Sequence, residues 1–304
     1  MTTHHTVSPK GFAAVLCGAI AIGSAPIFMR YADVTPTAAA FWRVLLSLPI
    51  LAAWLTIDIR RGISGEPLFS PRAGRAMIIV GLWFSVELFF WHWSVAKTTV
   101  ANATLLANMA TVFTALAGFL FFKERFSRHF MLGLLLALGG AVMLIGQNAE
   151  LNPHYLEGDL IGLACAVTYA GYIVSAARLR RRMPTSAVMF SSALVTAITL
   201  GALAFIEGGT VVPPTPASWL PLLGLALVTH ILGQSLILFG LAHVPAALGA
   251  ASLLVQPIIA AILAWILFGE ALGPWHVAGA LCIFAGIVLA RRSLRARPIG
   301  QHSK

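Results

Sequence analysis

Charge is what this chain has least of. Only 10% of its 304 residues are Asp, Glu, Lys or Arg, with 10 acidic residues against 20 basic ones. A soluble domain of this size carries about 25% charged residues, so a water-soluble globular fold is excluded. Cysteine is scarce too. Cys17, Cys165 and Cys282 sit inside apolar runs with no paired spacing, which excludes a disulfide framework and a thiolate metal site. Phosphate-cradling Gly-Lys-Ser/Thr loops, His-Glu-x-x-His zinc pairs and nucleophile elbows are all missing. No cofactor or metal is expected. An intramembrane enzyme would have to work with Glu87 and His230, the one acid–base pair on offer, and a carrier is the stronger expectation.

Apolar residues make up 59% of the chain, at a mean hydropathy of +0.89. A helix needs roughly 20 apolar residues to cross a hydrocarbon layer about 30 Å thick. Ten such runs are expected, at 11–29, 36–57, 76–96, 98–121, 130–147, 158–177, 185–206, 218–241, 246–268 and 275–290. The expected class is therefore an all-α polytopic membrane protein of ten transmembrane helices. Lys10 and the Gly23-Ser24-Ala25 stretch give the first run the outline of a signal peptide, but it has a counterpart later in the chain and reads as a span.

Cytoplasmic loops collect Lys and Arg. With a cytoplasmic N-terminus, all the basic residues except Arg30, Arg43 and Lys97 fall on inside segments, while Asp33, Glu150, Glu157, Asp159, Glu207 and Glu270 fall outside. Both termini are then cytoplasmic. The pI of about 10.4 reports orientation and needs no nucleic-acid partner.

The chain also repeats itself at offsets of 146 to 148 residues. Glu124 and Glu270 mark matching turns, the first crowded with Lys123, Arg125 and Arg128, the second without Lys or Arg. Pro36, Thr37 and Ala39 match Pro184, Thr185 and Ala187; Gly133, Leu135, Gly140 and Val142 match Gly279, Leu281, Gly286 and Val288; Gly11, Leu16 and Ala19 match Gly158, Leu163 and Ala166. Five spans return the chain on the opposite face, so the second unit is inverted. The expected units are 1–147 and 148–304, around a central cavity. Such pairs support alternating access with a midplane site.

The second half resembles the EamA family of the drug/metabolite transporter superfamily. The resemblance rests on Pro257 midway through the ninth span, the Gly269-Glu270 turn and a Gly-spaced tenth helix, with Pro36, Ala40, Arg43 and Glu124 matching in the first half. Within the family the chain looks most like the YddG-type exporters of aromatic and other amino acids. What this implies is an inner-membrane exporter of small amphiphilic metabolites, with an amino acid as substrate and the lipid bilayer as surroundings. A small-drug or nucleoside exporter of the same fold is the alternative.

Polar side chains inside the bilayer must face protein or water, because a charge at helix centre costs about 2.5–3.5 kcal/mol on insertion scales. Arg43 and Glu87 are expected at depths differing by about 3 Å, either as a structural ion pair or as receivers of a substrate carboxylate and ammonium (or a coupling proton). Glu87 reads as the only acid inside a span. His230 and Gln234 lie one turn apart, and Gln234 follows Glu87 by 147 positions, so the two are expected to face each other. Asn102, Asn108 and Gln256 are candidate substrate donors or helix bridges. Trp83, Tyr169 and Tyr172 are candidates for an aromatic cradle, while Trp91, His92 and Trp93 read as an interfacial belt. Pro26 and Pro257 are candidate bending points; Thr111 stands in place of Pro257 in the first half, which lets the halves move differently. Glycine stripes at 133, 139, 140, 279 and 286 read as contacts that hold the bundle or join two copies in a homodimer.

Overall fold

Three helices open on one device. Ser8, Thr35 and Ser70 accept hydrogen bonds from the backbone N–H three residues on, at Gly11 (3.3 Å), Ala38 (3.4 Å) and Ala73 (3.1 Å). Pro9, Pro36 and Pro71 follow at the first helical position, where a missing N–H costs nothing. In a computed structural model, which describes residues 8–63, 70–98, 100–122, 126–145, 153–268 and 273–295, the apolar runs are helical throughout. We label them α1 (Pro9–Arg30), α2 (Pro36–Arg60), α3 (Pro71–Lys97), α4 (Asn102–Phe121), α5 (Arg128–Ile145), α6 (Pro153–Arg180), α7 (Thr185–Glu207), α8 (Trp219–Leu241), α9 (Ala246–Leu267) and α10 (Pro274–Arg292). Among the described residues nine are long and apolar enough to cross a bilayer; α5 has a shorter apolar stretch, Arg128–Met143. No strand occurs among the described residues.

Large apolar side chains such as Ile198, Phe205, Ile206, Leu220 and Leu281 stand exposed on the outside of the bundle. Water would penalise such a surface and lipid accepts it. This is a multi-pass membrane protein.

The packing has two-fold form. α1 packs on α8 as α3 packs on α6, while α2 pairs with α7, α4 with α9 and α5 with α10. Exchanging α1–α5 for α6–α10 leaves that set unchanged. Individual contacts obey the same exchange. A Cβ added at Gly133 would lie 2.6 Å from the Gly286 carbonyl oxygen, and one at Gly140 would lie 2.5 Å from that of Gly279. At the offset of 146 each contact is the image of the other, as an isologous interface requires. Likewise Gly11 lies against His243 and Gly158 against Lys97, at repeat-related positions. The glycine stripe is thus taken up by the α5–α10 seam within one chain. Gly139 is not part of it, since a Cβ there would meet nothing within 4 Å.

Several expectations need correction. α2 runs to Arg60, which brings Asp58 inside; it is buried and accepts a hydrogen bond from Ser186 Oγ at 2.5 Å, so Glu87 is not the only buried acid. Arg180 belongs to α6 instead of a loop, its guanidinium donating to the carbonyls of Leu238 (3.1 Å) and Met183. The halves also break alike in one place where a difference was expected. α9 passes through a tight turn at Leu253–Val255 just before Gln256 and Pro257, and α4 breaks at Met109, which is 146 residues before Val255. The first half needs no proline there because Met109 N–H closes back on Leu106 at 3.0 Å. The Glu124 and Glu270 turns lie outside the described residues.

Candidate functional site

The breaks in the helices surround one cavity. α1 is interrupted at Gly23–Ser24, between Pro9–Ile22 and Ala25–Arg30. Pro26 lacks the N–H of a continuing helix, and Ser24 Oγ donates to the neighbouring Ala21 carbonyl at 2.7 Å. Ile22, Gly23, Ala25 and Pro26 form one wall. Ala107 and Asn108 at the α4 break, and Gln256 and Ala260 after the α9 break, form two more. Interrupted helices at mid-bundle leave backbone and side-chain groups free to meet a solute. The cavity encloses about 640 Å³ including its mouth.

α2 and α3 bring the charges. Arg43 and Glu87 both line the cavity and both are buried. Among the described residues no hydrogen bond or ion pair joins them, and Arg43 Nε is buried without a partner. The two charges act on each other across the cavity without a direct salt bridge. Asn108 Nδ2 and Gln256 Nε2 are also buried without partners. Gln234 on α8 lines the same cavity as Glu87, its repeat mate, and Tyr169 completes the wall from α6.

Four of the candidates for substrate contact or coupling, and one of the two candidate bending points, do not line the cavity. Tyr172 lies behind it, fully buried, its hydroxyl accepting from Gln234 Nε2 at 2.8 Å and its ring 4.8 Å from that of Phe84. His230 lies on the other side of Phe84, stacked at 5.4 Å with both ring nitrogens unpartnered. Asn102 donates to Asp159 Oδ1 at 3.0 Å beside Thr98, which donates to the same oxygen at 2.7 Å, so it ties α4 to the start of α6. Trp83 is turned outward, 37% exposed, with its indole over Gly171. Pro257 is absent from the lining, although its neighbour Gln256 is present.

Among the aromatic and polar lining residues, three were not singled out for the site: Phe84, Trp91 and Thr104. The signal for two of them was present. Phe84 and Trp91 are three residues before and four after Glu87, on one helical face. Trp83 is four before, about 40° to the other side of Glu87, and the cavity takes only one flank. Of the supposed belt, Trp91 faces the cavity, and Trp93 donates to Thr37 Oγ1 at 2.8 Å.

The model of the EamA-like transporter family matches residues 9–146 and again residues 156–292. The chain belongs to that family. This EamA-like transporter is 29% identical over 222 residues to the pseudopaline exporter CntI of Pseudomonas aeruginosa, covering 72% of the chain and 76% of that protein. It is 31% identical over 142 residues to the aromatic amino acid exporter YddG of Ancylobacter novellus, covering 46% and 48%. A probable amino-acid metabolite efflux pump of Salmonella typhimurium is 28% identical over 208 residues, covering 64% and 68%. A solved crystal structure superposes with a TM-score of 0.75 at 24% identity, covering 91% of this chain and 96% of that one, which shows a shared fold. These relatives are named as exporters and efflux pumps. The chain is a transporter.

Proposed function

We propose that this transporter exports small neutral amino acids, aromatic ones included, across a bacterial-type inner membrane by alternating access. One observation carries the reading: a buried cation, Arg43, and a buried anion, Glu87, face one cavity without pairing. An unpaired ion held away from water costs several kcal/mol, and a zwitterion entering the cavity supplies both missing partners at once. Its carboxylate meets Arg43 as a fork-shaped donor, and its ammonium meets Glu87. Phe84, Trp91 and Tyr169 offer apolar and π surface to the side chain.

The moving parts are the halves 1–147 and 148–304, rocking about the cavity they share. Basic residues concentrated at one end of the bundle support cytoplasmic termini. A cysteine near Glu270 then labels only from outside, and one near Glu124 only from inside. Counterflow from liposomes holding purified protein tests the substrate. Saturable exchange of neutral amino acids, with none for cationic dyes or nucleosides, is expected; exchange confined to dyes or nucleosides would overturn the reading.

A further inference from the structure

Polar groups from several helices line the cavity, and three of their donors lack partners. Arg43 Nε, Asn108 Nδ2 and Gln256 Nε2 are all donors, all buried and all without partners, and they come from α2, α4 and α9. The repeat-related pair on α3 and α8 brings two further polar groups, the Glu87 carboxylate and the Gln234 amide. A glutamine side chain has one donor end and one acceptor end and can present either. In Gln234 the donor end is already engaged, because Nε2 donates to the Tyr172 hydroxyl at 2.8 Å. Oε1 is what remains to offer the cavity.

Tyr172 is not free to release that amide. It is fully buried on α6, with its ring 4.8 Å from Phe84 and 6.2 Å from Tyr169 in a stacked arrangement. Phe84 in turn stacks on His230 at 5.4 Å, so the phenol is wedged in a row of rings running from α6 through α3 to α8. Gln234 itself closes a ten-residue segment of wider π-type winding, Leu225–Gln234, within α8. Such winding is uncommon and concentrates at functional sites.

We propose that Tyr172 is a positioning residue that holds Gln234 with its carbonyl toward the cavity, and that Gln234 and Glu87 together read a primary ammonium group. The proposal rests on the amino-acid reading above and goes further by setting the degree of the amine. A primary ammonium carries three N–H donors, more than one carboxylate satisfies from one side, and a carbonyl from the facing helix takes the remainder. A dimethylated amine has one N–H and leaves Gln234 Oε1 desolvated and unpaired. An N-acetylated substrate loses the charge that Glu87 requires. Leaving a buried polar group unpaired is the stronger source of discrimination in such sites.

The test is counterflow in proteoliposomes with phenylalanine, N,N-dimethylphenylalanine and N-acetylphenylalanine as competing solutes. The wild-type protein is expected to prefer the primary amine by at least about tenfold. Tyr172→Phe keeps the ring and removes the hydroxyl; it should raise KM for phenylalanine about tenfold with maximal flux within about twofold, and shrink the preference over the dimethyl analogue. Gln234→Leu should abolish that preference, whereas Gln234→Glu should keep it. Unchanged KM and preference in Tyr172→Phe, or an equal loss for both amines in Gln234→Leu, would overturn the assignment while amino-acid export stood. Wild-type protein that exchanges none of the three would instead overturn the amino-acid reading, and this assignment with it.

Discussion

A methyl group added at Gly133 tests the seam on which the two-fold arrangement depends. The new Cβ would lie 2.6 Å from the Gly286 carbonyl oxygen and 2.7 Å from Ala290 N, where ordinary contact begins at 3.4 Å. Both obstacles are backbone, so no rotamer change relieves them and α5 and α10 must separate. Overpacking of this kind costs about 1–3 kcal/mol, and the collision with backbone places this case near the top of that range. Alanine normally recovers up to about 1 kcal/mol over glycine in a helix. That gain shrinks in lipid, where helices stay formed even when apart. The net loss is about 2 kcal/mol, equivalent to roughly 3 °C in the melting temperature of a domain this large. Gly139→Ala, six residues along the same helix, meets nothing within 4 Å and should melt unchanged or slightly higher. Cys282 lies against Gly140 in the seam, so a thiol-reactive dye in detergent reports its opening, with Cys17, which is exposed, replaced by serine. The double variant Gly133→Ala with Gly286→Ala should cost less than twice either single, because one separation relieves both clashes. Melting of Gly133→Ala together with Gly139→Ala would refute the packing argument and the two-fold seam with it.

Two further predictions concern the cavity. Glu87→Gln and Arg43→Ala should each lower amino-acid flux at least tenfold while the protein still inserts, since each removes the charge that a zwitterion meets; normal flux at equal protein level would remove both residues from the mechanism. Thr111 Oγ1 donates to the Ala250 carbonyl at 3.2 Å across the α4–α9 contact. In a protein without other cysteines, oxidation of the pair Thr111→Cys and Ala250→Cys should therefore stop exchange, and reduction should restore it. Exchange that continues through the oxidised protein would show that this contact need not open.

Much of the architecture was legible because lipid makes it so. Twenty-residue apolar runs and the glycine matches at a constant offset lead directly to paired five-helix units, and the structure seats Gly133 on Gly286 and Gly140 on Gly279 as those matches require. The cavity was less legible. Arg43, Glu87, Asn108, Tyr169, Gln234, Gln256 and Pro26 meet there, since buried polar groups in a membrane have few other places to go. Trp83, Asn102, Tyr172 and His230 do not, and depth alone could not tell them apart from the rest. Sequence gives a residue's level along the helix and its approximate face, but which flank of that face opens on the cavity depends on how α3, α6 and α8 pack. The α4 break was hidden for another reason: it has no proline, and a backbone closure from Met109 to Leu106 leaves no mark in composition.

The α4–α9 pair departs from two-fold packing in a way that bears on the proposed cycle. The second part of α4, Ala110–Phe122, packs against the first part of α9, Ala246–Ser252. Two-fold exchange maps that contact onto the first part of α4, Val100–Asn108, against the second part of α9, Gln256–Phe268, and no comparable packing occurs there among the described residues. The cavity occupies the side left open, its lining rising from Phe84 and Gln234 to Trp91 and Thr104, toward the end of the bundle that holds Lys97 and Asp159. The proposed cycle calls for a partner state in which this asymmetry is reversed. By two-fold exchange that state would set Thr104 and Pro257 in the places that Ala250 and Thr111 hold here, with the path open toward Asp58 and Arg180. The hinges such a change needs are the breaks at Met109 and Leu253–Val255, set at equivalent points of the two halves. A cross-link between Thr111 and Ala250 would hold one state only, which is why flux, and not substrate binding, is the quantity it should abolish.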